Sequence, residues 1–221
     1  MINIKDQENL FTEAGKMLKK RIECFAIGGT AMMFLGLKEY TKDIDLVFLN
    51  KEDRKIFKEI LIKIGYKEME SRLVYGAREN IPQMVFLADW RIDLFLPEVI
   101  SFIFSENMQK RIEETHEYNN LIIKIADPHD ILLMKCATER QKDIDDVESI
   151  MKNTTINWNI ILEETKNQIK LGKQRAALDL GVFLENLEAI GTSVPKNISE
   201  ELFKIFEKQT KEMKEKIRKK K

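Results

Sequence analysis

Asp43 and Asp45, in the run Asp43-Ile44-Asp45-Leu46-Val47-Phe48, are the residues here whose type and spacing suit a cation site. In a strand, alternate side chains point to opposite faces, so Ile44, Leu46 and Phe48 would enter a core while both acids share the other face. Their Cα atoms would stand about 6.6 Å apart, twice the strand rise. Carboxylates this close repel one another and are costly to bury. A divalent cation that favours hard oxygen donors, Mg²⁺ or Mn²⁺, removes that cost. An exposed edge strand with two solvated acids would read the same, and the Asp-x-Asp alone leaves both open.

Gly28, Gly29 and Thr30 stand upstream, between the apolar run Phe25-Ala26-Ile27 and a compact apolar segment at 31–37. Backbone N–H groups at a glycine turn before a helix form an anion site, and glycine lets a phosphate approach closely. A phosphate cradle beside a two-carboxylate cation site is what phosphoryl or nucleotidyl transfer requires. A glycine pair alone marks only a turn. It is the combination with the apolar-flanked Asp-x-Asp that is specific.

Strand, tight turn, helix, loop and strand would account for residues 25–48. An amphipathic helix at 6–20 precedes them, with Leu10, Ala14, Met17 and Leu18 on one face. Asn50 can cap a helix over 51–64 that ends at Gly65. Strands are expected at 67–75, 83–88 and 91–96, with a turn at 76–80, a hairpin at Asp89-Trp90 and a stop at Pro97. In the last of these, Ile92, Leu94 and Leu96 share one face, and Arg91, Asp93 and Phe95 the other. A final strand is expected at 121–125.

Asp127 then caps a helix over 128–139 with Pro128 at its first position. From there the period is helical, with further helices at 158–171, 173–190 and 199–220. This places a boundary near Ala126, giving domains 1–126 and 127–221.

The chain of 221 residues is 43% hydrophobic and 33% charged, with 37 basic and 37 acidic residues, which describes a globular protein rather than a disordered one. Zero net charge leaves a nucleic-acid partner open, because local patches matter more than the sum. Cys24 and Cys136 lie in apolar segments and read as small buried hydrophobes. No apolar run is long enough to span a bilayer, and the N-terminus shows no signal pattern, so a cytoplasmic protein without membrane contact is expected. The basic stretch at 211–221 reads as a solvated end or as an RNA contact.

With these segments in place, the sequence resembles the polymerase-β-type nucleotidyltransferase superfamily, in its pattern of apolar strand, Gly-Gly, helix and two-acid strand. More narrowly, it is similar to the toxin-like, abortive-infection type nucleotidyltransferases of bacteria and archaea. The similarity lies in Gly28-Gly29-Thr30-Ala31 and Thr41-Lys42-Asp43-Ile44-Asp45 and extends over residues 24–146.

The resemblance implies an α+β fold: a mixed sheet flanked by helices, followed by an all-helical C-terminal domain. It implies a metal-dependent transfer of a nucleotide from ATP or another triphosphate to an acceptor hydroxyl on RNA, tRNA or protein. It also implies a possible place in a toxin–antitoxin pair. Asp43 and Asp45 would hold Mg²⁺ or Mn²⁺, and Gly28, Gly29 and Thr30 the phosphates.

Read alone, Asp93 is an acid on a half-exposed strand. The resemblance makes it the third carboxylate, completing the metal site with Asp43 and Asp45 on the side facing the acceptor and assisting its deprotonation, with Asp89 in reserve. Read alone, Lys135 snorkels from an apolar helix and 140–146 is a solvated helix start. The resemblance makes Lys135, Lys142 and Asp143 nucleotide contacts. Three rival readings are a catalytically silent nucleotide- or partner-binding module of the same fold, a glycosyltransferase using Asp-x-Asp, and an antitoxin-like partner.

Overall fold

The computed structural model describes residues 1–138 and 140–218, with side chains described through residue 212. From residue 213 onward, the basic stretch read at 211–221 therefore lies outside the described side chains.

Helix α1 (Ile4–Met17) opens the chain. Asn3 caps it by accepting from Asp6 N at 2.9 Å, and the Asp6 carboxylate accepts from Asn3 N in return. Strand β1 (Ile22–Ala26), helix α2 (Gly28–Phe34) and strand β2 (Asp43–Val47) follow. Helix α3 (Lys51–Ile64) is capped by Asn50 and closed by Gly65 in the left-handed region. Next come β3 (Lys67–Met69), α4 (Arg72–Tyr75), β4 (Gln83–Leu87) and β5 (Trp90–Phe95). The small hairpin β6 (Glu98–Val99) and β7 (Phe102–Ile103), helix α5 (Glu106–Lys110), and strands β8 (Thr115–Tyr118) and β9 (Leu121–Ile125) complete the sheet-bearing part. Helices α6 (Pro128–Lys135), α7 (Gln141–Asn153), α8 (Trp158–Lys170), α9 (Ala176–Ala189) and α10 (Lys196–Arg218) make up the rest.

Seven strands form one mixed sheet in the order β3-β4-β5-β2-β1-β9-β8. Its centre is β5-β2-β1-β9: β2 runs parallel to β5, β1 antiparallel to β2, and β9 parallel to β1. Helices α1 and α3 pack together against the sheet. Phe11, Phe48 and Phe57 are fully buried, and the Phe48 and Phe57 rings lie 5.4 Å apart. The hydrophobic cluster continues through Ile131, Leu132 and Leu133 of α6 to Ile161, Leu184 and Leu187 of the helical part. The fold is α+β, a mixed sheet flanked by helices with a helical C-terminal region.

A polar staple joins the two parts. Arg111 donates to both Asp130 oxygens, at 3.0 and 2.6 Å, and to Glu164 at 2.7 Å. Both acids are almost completely buried, so the fork is what makes their burial affordable.

Two expectations are corrected. The strand read at 67–75 stops at Met69, because residues 71–76 close local turns: Tyr75 N donates to Ser71 O and Gly76 N to Arg72 O, each at 2.9 Å. The helix read at 128–139 stops at Lys135, where Cys136 N turns back to Leu133 O at 3.2 Å. The short elements β6, β7, α5 and β8 carry too few residues for a periodic signal to show.

Candidate active site

The apolar faces of β2 and β5 fix the site. Ile44, Leu46, Ile92 and Leu94 are fully buried, and a slip of one residue in either strand would turn them outward. The resulting parallel register pairs Asp43 with Arg91 and Asp45 with Asp93. On the opposite face these four side chains form a square, with three acids and one arginine at its corners.

The glycine turn lies against this square. Thr30 Oγ1 accepts the backbone N–H of Asp45 at 2.8 Å, and Ile27 N donates to Asp45 O at 3.2 Å. Gly28 has φ +54°, and a Cβ there would come 3.1 Å from Asp45 Oδ2. A Cβ on Gly29 would come 2.7 Å from Thr41 Oγ1. Both positions thus exclude a side chain, one through conformation and proximity, the other through proximity alone. Gly28 and Gly29 line the cleft above the square. Thr30 does not: it is fully buried and its hydroxyl is committed to β2. Thr30 was expected among the phosphate-binding residues, and its side chain instead ties the turn to β2, since a sequence does not reveal which partner a hydroxyl takes.

The charges are only partly matched. Arg91 Nη2 lies 2.5 Å from Asp43 Oδ2 and Nε lies 3.1 Å from Asp93 Oδ1. The second contact is near enough for an ion pair but misaligned for a hydrogen bond, so Arg91 Nε and Asp93 Oδ1 are buried without one. The Tyr75 hydroxyl donates to Asp93 Oδ2 at 2.5 Å. Asp93 is fully buried beneath Tyr75 and Arg91, rather than facing an acceptor as expected.

Asp45 makes no ion pair among the described residues. Burial, and then the neighbouring Asp43, push its carboxyl up to about 6. Burial, and then Asp45, push the Asp93 carboxyl up as well. In the conformation described the three acids do not close into a cage: among the described residues no three His, Cys, Asp or Glu side chains are grouped to hold a metal ion. The donor set nonetheless fits one. It is all oxygen, it repels itself, and it contains an unpaired half-buried carboxylate and an orphaned buried oxygen.

The far wall comes from α6 and α7. Lys135 Nζ lies 2.9 Å from Asp143 Oδ1 and 2.5 Å from Asp146 Oδ2, and Lys38 also pairs with Asp146. Asp143 and Asp146 are three residues apart on α7 and so share a face. Burial opposes the Lys135 charge, but these two acids outweigh it and raise its pKa. Asp143 further accepts from Arg140 Nε at 2.7 Å and from the Thr138 hydroxyl. It is fully buried and acts as a clamp on Lys135. Lys142 stands at the cleft edge with much of its surface exposed, and partial desolvation by the cleft wall and then the nearby Arg140 lower its pKa.

Seven of the nine residues singled out from the sequence thus line one cleft: Gly28, Gly29, Asp43, Asp45, Lys135, Lys142 and Asp143. Thr30 and Asp93 stand directly behind it, each touching a residue that lines it. Asp89 sits at the turn between β4 and β5, outside the cleft lining. Sequence reasoning missed Arg91, Tyr75, Asp146 and Lys38, all of which line this cleft. Arg91 was detectable, since strand alternation puts it on the same face as Asp93. Tyr75 was hidden by the mistaken strand.

No functionally curated protein matches the sequence. Among solved structures, the chain is similar to ANT(2″)-Ia in complex with adenylyl-2″-tobramycin, with 16% identity, 81% of this chain and 98% of that chain covered, and a TM-score of 0.45. The profile of one family, described as nucleotidyltransferase of unknown function (DUF6036), matches residues 7–181. The chain, with its acidic strand, glycine turn and lysine-bearing helical wall, belongs to that family of nucleotidyltransferases.

Proposed function

We propose that this protein uses a divalent metal, Mg²⁺ or Mn²⁺, to transfer a nucleoside monophosphate from a triphosphate such as ATP to a hydroxyl on an RNA or protein acceptor. The observation that carries this reading is Asp45, a half-buried carboxylate that forms no ion pair among the described residues, seated beside Asp43 and against Gly28.

Asp43 and Asp45 would hold the metal, and bound there it would neutralise charge on the triphosphate and on the departing pyrophosphate. Gly28 and Gly29 line the same cleft, and their backbone amides would take the terminal phosphates. Lys135, held charged by Asp143 and Asp146, would face them from the opposite wall. Lys142 would add a second, mobile cation at the rim. Asp93 would join the site and receive the acceptor proton once Tyr75 and Arg91 release it.

Supplying each α-labelled triphosphate with total RNA and with cell lysate tests the reading and identifies the acceptor. Label should appear on one acceptor class, and Asp45→Asn should abolish transfer while the fold persists. Transfer that survives this substitution would mean that the site is wrongly assigned. Co-purification of the chain with the product of a neighbouring gene tests the toxin–antitoxin role.

The closed state of Asp93 favours one rival, a catalytically silent nucleotide-binding module. Triphosphate binding without any labelled product would favour that rival.

A further inference from the structure

We propose that Arg91 is a built-in counter-cation that occupies the divalent-metal position, and that metal enters the site by exchange with this guanidinium. The inference rests on the metal-dependent reading above.

Strand register places Arg91 directly across from Asp43 and two residues before Asp93, on the face that carries all three acids. Its guanidinium reaches Asp43 Oδ2 and Asp93 Oδ1 together. A divalent ion held on Asp43 and Asp45, with Asp93 joining it, would need this space beside the Asp43 and Asp93 oxygens, at about 2 Å from its donors. The two cations would repel one another at that range, so both cannot stay.

The manner in which Arg91 is held also points to exchange. Arg111, the structural arginine of this chain, donates two aligned hydrogen bonds to Asp130 and a third to Glu164. Arg91 instead leaves its own Nε and Asp93 Oδ1 without a hydrogen bond. Charge holds it there, and a stronger charge can displace it. It also has somewhere to go: its side chain is 22% exposed and lines the cleft. Swung outward, it would meet the space assigned to the triphosphate, where an arginine fork suits phosphate oxygens.

Mn²⁺ titration of the full-length chain, followed calorimetrically, compares wild type with Arg91→Gln and Arg91→Lys. Arg91→Gln should bind Mn²⁺ about tenfold more tightly, the scale of one charge-assisted contact removed from competition, with Arg91→Lys in between. Mn²⁺ should also raise the unfolding midpoint of Arg91→Gln more than that of wild type. Equal or weaker binding by Arg91→Gln would overturn the exchange while leaving the metal reading intact. Binding by neither protein, with or without triphosphate, would end both.

A second measurement follows the wild-type protein itself. In wild type, the ¹⁵Nε–H resonance of Arg91, identified by its loss in Arg91→Lys, should shift as Mg²⁺ saturates the site. An unmoved resonance at saturation would refute the exchange.

Discussion

The hydroxyl of Thr30 accepts the backbone N–H of Asp45 at 2.8 Å and is the side-chain bond that ties the glycine turn to the acidic strand, beside the backbone bond from Ile27 N to Asp45 O. Thr30 is fully buried, so the donor it satisfies has no water to turn to. Thr30→Val keeps the shape and removes the acceptor, leaving that N–H unpaired. The expected cost is about 1–3 kcal/mol of stability, read from denaturant unfolding. Nucleotide transfer should fall too, because Asp45 loses its fixed distance from the turn. An unchanged unfolding midpoint would contradict this role for Thr30.

Gly28 tests the turn from the other side. With φ +54° and Asp45 Oδ2 3.1 Å from where a Cβ would stand, Gly28→Ala meets both a backbone penalty and a crowded carboxylate. The backbone penalty is about 1–2 kcal/mol. Transfer should fall by more than stability alone explains, since the displaced group is Asp45 itself. Steady-state kinetics beside thermal unfolding would separate the two effects.

The two cleft lysines should behave differently. Lys135→Ala leaves Asp143 with Arg140 and Thr138 and Asp146 with Lys38, but it removes the buried cation that both acids share, so it should lower stability by about 1–3 kcal/mol as well as activity. Lys142 is exposed and forms no ion pair among the described residues. Lys142→Ala should therefore leave the unfolding midpoint within error and raise the KM for triphosphate. Similar stability losses in both variants would contradict the assigned roles.

The acidic square also sets a pH dependence. Burial and then Asp43 hold the Asp45 carboxyl at about 6, above the ordinary 3.8. The folded chain therefore keeps a proton that the unfolded chain has already lost. Without metal, stability should decline as pH rises from near 3.8 through about 6. The raised Asp93 extends the decline in the same direction. Asp45→Asn removes this component, so relative to wild type it should gain about 3 kcal/mol across that window. Denaturant midpoints measured for both proteins along a pH series give that difference directly. A constant difference would show that Asp45 is not held protonated by its surroundings.

What could be read from the sequence was local. Alternation around Ile44, Leu46, Ile92 and Leu94 fixed which side chains are buried, and with them the face on which Asp43, Asp45 and Asp93 lie. Asp93 became a candidate only through the resemblance, which the alternation then narrowed to the one acid inside an apolar strand, and the glycine pair ahead of a helix located the turn. These signals survive in a single sequence because strand and turn geometry repeat over two to four residues.

Only the tertiary structure decided how the segments meet. It set Asp45 beside Asp93 and Arg91 opposite Asp43, since register depends on both strands together. It turned Thr30 inward to Asp45, folded α7 so that Asp143 and Asp146 grip Lys135, and brought Tyr75 over Asp93 from a segment that reads as a strand. Each of these contacts joins residues between 8 and 18 positions apart within the chain or on separate strands, and partners at that distance are chosen by packing of the whole fold, not by local pattern.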